Sequence, residues 1–185
     1  MLFENDDLIF IGERHEPGIM GVNIRPAKEW RELSMSGAKL GPQFCINPLN
    51  GMPSPKKSGD GTTLRGDANV KTYRYCLIEF DGLDRESQIK FYSAVKLPIR
   101  ALIDSGNKSI HALVDVQVLA KVETLEQWTT EIKQNLYERL LIPLGVDGQC
   151  SNPSRLSRLP GHYRTEKQAW QRLLWLSKDG QYAIE

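Results

Sequence analysis

Three short stretches of the chain hold side chains that can do chemistry. In YRYCLIEFDG (73–82) the acids Glu79 and Asp81 stand one residue apart. On a strand they would share a face, roughly 7 Å from each other, with Ile78 and Phe80 on the opposite one. Carboxylates that close repel and are costly to desolvate, and a shared cation is the usual remedy. Taken alone, the pair also reads as a strand end running out into water. The second stretch, SGNKSIH (105–111), presents Lys108, Ser109 and His111. All three are donors suited to phosphate oxygens, and Ser109 and His111 share one strand face. The third, LGVDGQCSNPSRLSRLPGHYR (144–164), holds one isolated acid, Asp147, then Arg155, Arg158 and Arg164. As single features, a strand histidine and a basic surface loop are ordinary.

The elements that must position these side chains follow from pattern. LIFIG (8–12) is an apolar strand, and PAKEWREL (26–33) opens a helix on a proline suited to a first turn. PQFCIN (42–47) is a second strand. Residues 48–69 contain four glycines and almost no large apolar side chains, which predicts a long loop. A strand over 72–81 comes next, then a helix capped by Asp84 that runs to about Val95 and is ended by Pro98. IRALID (99–104) and KSIHALVDV (108–116) are strands in hairpin-like succession around the turn SGN. Thr124 and Gln127 form a capping box for a long helix. Leu125, Trp128, Ile132, Leu136 and Leu140 mark its core face at three-to-four spacing. AWQRLLWL (169–176) closes the chain as a strand. This order predicts an α+β domain with a largely antiparallel sheet.

The chain has 185 residues, about one domain's worth, with 40% hydrophobic and 25% charged residues, as in soluble globular proteins. We expect one domain over 1–185: an N-terminal strand–helix unit (1–47), a basic loop (48–69) and a core (70–185) bearing the three stretches. No apolar run approaches the roughly 20 residues that span a bilayer, and MLFENDD is no signal peptide, so a cytoplasmic protein without a membrane partner is expected. Three cysteines without CxxC pairing suggest reduced thiols, and Cys150 with His162 lacks two further ligands for zinc. Net charge is only +1 but unevenly spread. Lys56, Lys57 and Arg65 sit in one basic tract, and Arg155, Arg158 and Arg164 in another. Such tracts are usually solvated faces, and they can also be where phosphates sit.

Jointly, an acid-x-Asp pair on a strand, an SxH strand about thirty residues later and a third Asp followed by arginines resemble the archaeo-eukaryotic primase superfamily. The chain is similar in particular to small primase-polymerase domains of phage and plasmid primase-helicases and of CRISPR-associated systems. The resemblance is carried by residues 65–164. It implies an RRM-like antiparallel sheet with flanking helices, and a template-directed DNA primase-polymerase dependent on Mg2+ or Mn2+. It assigns Glu79, Asp81 and Asp147 as catalytic metal ligands, with Glu79 where the family more often has Asp. It assigns Lys108, Ser109 and His111, with Arg155, Arg158 and Arg164, to the triphosphate of an incoming nucleotide. Implied partners are nucleoside triphosphates, a single-stranded DNA template with its primer, and a helicase or accessory module.

The chemistry suits that resemblance. In-line attack of a 3′-hydroxyl on an α-phosphate calls for two hard cations on oxygen ligands, and for Arg and Lys to offset the remaining phosphate charge. Lys56, Lys57 and Arg65 are expected to track template or nucleotide phosphates, or else to belong to a plain connector. Tyr73 and Tyr75 are the candidates for a gate at the sugar 2′ position. The alternatives are a nucleic-acid-binding module without catalysis and a metal-dependent nuclease or phosphoesterase. An RNA-binding sheet would expose stacking aromatics where this chain has acids. A nuclease would use the same acids but has less need of the SxH and Arg set.

Overall fold

The structure is a computed structural model that describes residues 2–177. Strand β1 (Leu8–Gly12) pairs antiparallel with β2 (Ile24–Pro26) on one side and β3 (Gln43–Cys45) on the other. Helix α1 (Ala27–Met35) follows β2 directly, with Pro26 just ahead of its first turn. Its Trp30 is buried and donates Nε1–H to the carbonyl of Ile9 at 2.8 Å, which fixes the helix on the sheet. The stretch 48–69 is more ordered than its glycine content predicts. It contains a short hairpin, β4 (Ser54–Pro55) with β5 (Thr62–Thr63), and a 3-10 turn over Asp67–Asn69.

Strand β6 spans Tyr75–Ile78, shorter than the 72–81 expected, so Glu79 and Asp81 lie just past its end. Burial still alternates there: Phe80 is buried, Glu79 half-buried and Asp81 exposed. Helix α2 (Arg85–Ala94) is capped by Asp84, which accepts from the Ser87 N–H at 2.9 Å. Strands β7 (Ile99–Asp104) and β8 (Ile110–Asp115) form the expected hairpin. Helix α3 (Val116–Ala120) begins on an Asp115 cap.

The long helix, α4, starts with α geometry over Leu125–Gln127 on the predicted capping box and continues with π geometry over Trp128–Leu141. That winding corrects the expected core face. The buried residues are Trp128, Ile132, Tyr137 and Leu141, at spacings of four, five and four, while Leu125 and Leu140 are 39% and 59% exposed. An i→i+5 helix carries more residues per turn than an i→i+4 helix, so the inward stripe drifts away from the α register.

Beyond α4 come β9 (Leu156–Arg158), β10 (Tyr163–Arg164), β11 (Ala169–Trp170) and β12 (Arg172–Leu176). The single closing strand expected over 169–176 is thus two, divided at Gln171. Two four-stranded antiparallel sheets result, ordered β2-β1-β3-β9 and β12-β7-β8-β6. The α+β class with antiparallel sheets is therefore as the sequence indicates. One apolar core runs through both sheets, from Ile9 and Phe44 to Leu77, Ile103 and Leu113.

Asn47, fully buried, joins the sheets. Its Nδ2 donates to the carbonyls of Tyr75 and Pro153, both at 2.9 Å, and its Oδ1 accepts from the N–H groups of Arg74 and Tyr75. This amide satisfies backbone groups that neither sheet edge could pair, as buried polar groups require. No helix among the described residues is long and apolar enough to cross a membrane.

Candidate active site

The register of β6 on β8 decides the first juxtaposition. Ile78 faces Ala112, so one step further Glu79 comes level with His111. Ser109 donates its hydroxyl to Glu79 Oε1 at 2.8 Å, and His111 Nε2 lies 3.4 Å from the same oxygen. Gln88 of α2, itself buried, accepts from the Ile110 N–H and donates to the Lys108 carbonyl, which holds this stretch of chain against the helix. The β7–β8 turn is closed by Asp104, whose Oδ1 accepts from Arg85 and from the Gly106 N–H.

Asp147 arrives from a different part of the chain. Its backbone N–H donates to the Glu79 carbonyl at 2.9 Å, and its side chain caps the 3-10 turn Gly148–Ser151 through the Gln149 N–H. Trp128 of α4 anchors that turn by donating Nε1–H to the Ser151 carbonyl. The sequence pattern does not reveal a further neighbour of these acids. The buried Cys150 thiol lies 3.6 Å from Glu79 Oε2 and 3.7 Å from Asp147 Oδ2. Glu79, Asp147 and Cys150 each place one ligand-type atom within 4.8 Å of the others, and Asp81 is outside that group. Nothing in the spacing Asp147-x-x-Cys150 marks the cysteine, because its role depends on a 3-10 turn folding it back.

A cleft of about 520 Å³ opens in front of these acids. Glu79 and Asp81 line it, with Ser105, Asn107, Lys108, Ser109 and His111 from the β7–β8 hairpin. Arg155, Arg158 and Arg164 face them, as does Arg14, which no sequence motif singles out. No phenylalanine, tyrosine or tryptophan is among the described residues that line it. Arg155 sits on the acids, with its guanidinium 3.6 Å from Asp147 Oδ2. Arg158 is half-buried beside Arg164. Arg164 donates to Glu166 at 2.8 Å and to the Ser105 carbonyl at 3.2 Å. Arg155 and Arg158 reach one cleft despite their odd spacing because Arg155 stands at a turn ahead of β9, so strand alternation does not relate them.

The other nominated residues are placed differently. Lys57 is ion-paired with Asp67 at 2.6 Å, and neither it nor the exposed Lys56 lines the cleft. Arg65 does line it, yet its guanidinium is spent on the carbonyls of Glu16 and Arg14 and stacks 4.5 Å over the Phe10 ring. Tyr73 and Tyr75 are buried away from the cleft, Tyr73 against Trp128 and Tyr75 donating to the Leu2 carbonyl. Their side chains are taken up by the core, which removes them as sugar gates.

The electrostatics are polarised. Burial alone would raise the Glu79 carboxyl, but the hydrogen bond and charge of His111, the Ser109 hydroxyl and Arg155 together bring it down to about 2. Asp81 is shifted the other way, by partial burial and then by repulsion from Glu79 and Asp147. Burial and then the neighbouring Arg164 lower Arg158, and burial pushes the Cys150 thiol up. Carboxylates that repel one another and guanidiniums that repel one another, gathered at one cleft, are each stabilised by a ligand of opposite charge: cations by the first set, anions by the second. The donor set is mainly carboxylate oxygen, which fits hard divalent ions.

Among solved structures the chain is similar to the AEP domain of the cyanophage S-2L primase-polymerase (PrimPol), with 16% sequence identity over 97% of this chain and 85% of that chain and a TM-score of 0.53. At that identity the likeness establishes the fold. No family model and no curated protein matches the sequence.

Proposed function

We propose that the protein is a template-directed nucleotidyltransferase, a DNA primase-polymerase acting on nucleoside triphosphates at a primer end or on single-stranded template. The observation that carries this reading is one cleft lined both by acids, Glu79 and Asp81 with Asp147 beside them on Arg155, and by the cations Lys108, Arg155, Arg158 and Arg164. A nuclease needs the acids and has little use for the cations. A base-stacking RNA module needs aromatics that this cleft lacks. The β6-α2-β7-β8 unit, in which β8 lies between β6 and β7, is read as the RRM-like part of the fold.

Glu79, Asp81 and Asp147 would hold Mg2+ or Mn2+, which when bound supplies charge neutralisation at the attacking and leaving oxygens. The chain's own residues do the rest. Ser109 and His111 fix the Glu79 carboxylate in one rotamer and keep it ionised. Arg158, Arg164 and Lys108 bind the triphosphate, with guanidinium forks matched to paired phosphate oxygens. Arg155 links the acids to the cleft, close enough to Asp147 to orient it and itself lining the cleft.

The test is incubation of the protein with primer-template, nucleoside triphosphates and Mg2+ or Mn2+. Extension of the primer supports the proposal, shortening would make it a nuclease, and binding without either would make it a binding module.

A further inference from the structure

The side chain behind His111 carries one inference further. Ser157 lies in β9, opposite Phe44 of β3, and is fully buried. Its Oγ is 3.1 Å from His111 Nδ1, across the gap between the two sheets. The other ring nitrogen, Nε2, faces the Glu79 carboxylate at 3.4 Å. A neutral imidazole has one N–H and one bare nitrogen, and an ionised carboxylate only accepts. If the proton sat on Nδ1, the bare Nε2 would point lone pair to lone pair at Glu79. The Ser157 hydroxyl proton would also need another acceptor, and the described hydrogen bonds give it none. Both defects vanish if Ser157 donates to Nδ1 and the ring carries its proton on Nε2.

We propose that Ser157 is a positioning residue that holds His111 in its Nε2–H tautomer, so that the ring always presents a donor to Glu79 and the cleft. The ring then supports the Glu79 carboxylate and can offer the same N–H to a phosphate oxygen, whereas the opposite tautomer would repel both. Outer partners that set a ring's tautomer in this way are general in sites where imidazole must act with one defined nitrogen. The link also ties β9 to β8, so the arginines of the 155–164 stretch and the SxH strand are held in one frame. The functional half of this inference rests on the nucleotidyltransferase reading, and the tautomer itself does not.

The experiment is nitrogen-15 NMR of histidine-labelled protein in alkaline buffer, where imidazoles are neutral, comparing wild type with Ser157→Ala and Ser157→Thr. With three histidines in the chain, His111→Ala assigns the signal. Wild type and Ser157→Thr are expected to show the Nε2–H form, and Ser157→Ala a mixture. Nucleoside triphosphate affinity in the presence of Mn2+ should fall about three- to tenfold in Ser157→Ala, the worth of one hydrogen bond, and return in Ser157→Thr. An unchanged tautomer in Ser157→Ala overturns the proposal, as does an Nδ1–H form in wild type. If Ser157→Ala does not fold, Ser157→Cys keeps the volume, weakens the donor and is read in the same way. Wild type that shows the Nε2–H tautomer but binds no nucleotide would leave Ser157 in its role and sink the nucleotidyltransferase reading instead.

Discussion

The backbone N–H of Asp147 donates to the carbonyl of Glu79 at 2.9 Å, so the last acid of the cluster is hung from the first by a main-chain bond. Side-chain substitution leaves that bond in place. The acids can therefore be removed singly without dispersing the loop that carries them.

Asp81→Ala and Asp147→Ala should each lower synthesis by at least about a hundredfold, as loss of a fixed charge at a reacting centre does. Their stabilities should differ. Asp81 is exposed, and its carboxyl is raised by partial desolvation and then by Glu79 and Asp147, so its removal relieves repulsion and the melting temperature holds or rises. Asp147 caps a 3-10 turn, and alanine there should cost about 1 kcal/mol, which Asp147→Asn restores without restoring activity. Primer extension paired with thermal melts in metal-free buffer checks both. Large destabilisation by either alanine variant would make these residues structural.

Glu79 links the cleft to acid stability. Its carboxyl is lowered from 4.5 to about 2, so the folded state binds its proton less readily than the unfolded chain. The stabilisation is fully present above about pH 4.5 and is lost as the pH falls towards 2. Glu79→Gln should remove roughly 3 kcal/mol of the wild-type stability near neutrality and flatten the acid limb in that window. Denaturant melts from pH 7 to 2 without divalent ions test this. An acid limb identical in both proteins would show that the His111 and Ser109 contacts do not hold the carboxylate ionised.

Arg155 and Arg158 should fail differently when replaced by lysine, which keeps the charge and loses the fork. Arg155 lies 3.6 Å from Asp147, so Arg155→Lys should chiefly weaken divalent-ion binding. Arg158 lies half-buried beside Arg164, and Arg158→Lys should chiefly weaken nucleotide binding, by about tenfold. Calorimetric titrations with Mn2+ and with a nucleoside triphosphate separate the two. Equal nucleotide defects from both would place the arginines on one phosphate group.

Gly106 should tolerate no side chain. Its φ is +69°, and a Cβ there would sit 3.1 Å from the Trp170 carbonyl oxygen. Gly106→Ala should destabilise by roughly 1 kcal/mol or more. Because the turn carries Ser105, Asn107 and Lys108 into the cleft, nucleotide affinity should fall as well. Thermal melts and nucleotide titration read the two effects independently.

Elements whose defining residues are neighbours in the chain are legible in the sequence by itself. β1, the β7–β8 hairpin, the Asp84 cap and the Thr124–Gln127 capping box follow from patterns within a few residues, because alternation, turn chemistry and capping act over that range. The acid pair and the SxH stretch are legible for the same reason. What lies between distant segments is decided by tertiary structure alone. The Glu79–Asp147 bond, the Cys150 thiol between those acids, the withdrawal of Arg65 onto Phe10 and the Ser157–His111 contact each join residues that no local pattern relates. The face of α4 shows the same limit within one element. Trp128 and Ile132 satisfy both windings, and only packing against the sheets selects the i→i+5 turn that fully buries Tyr137 and Leu141, leaves Leu136 half-buried against the core and exposes Leu140. Burial is a property of what arrives from elsewhere in the chain, and a sequence pattern records only the residues offered to it.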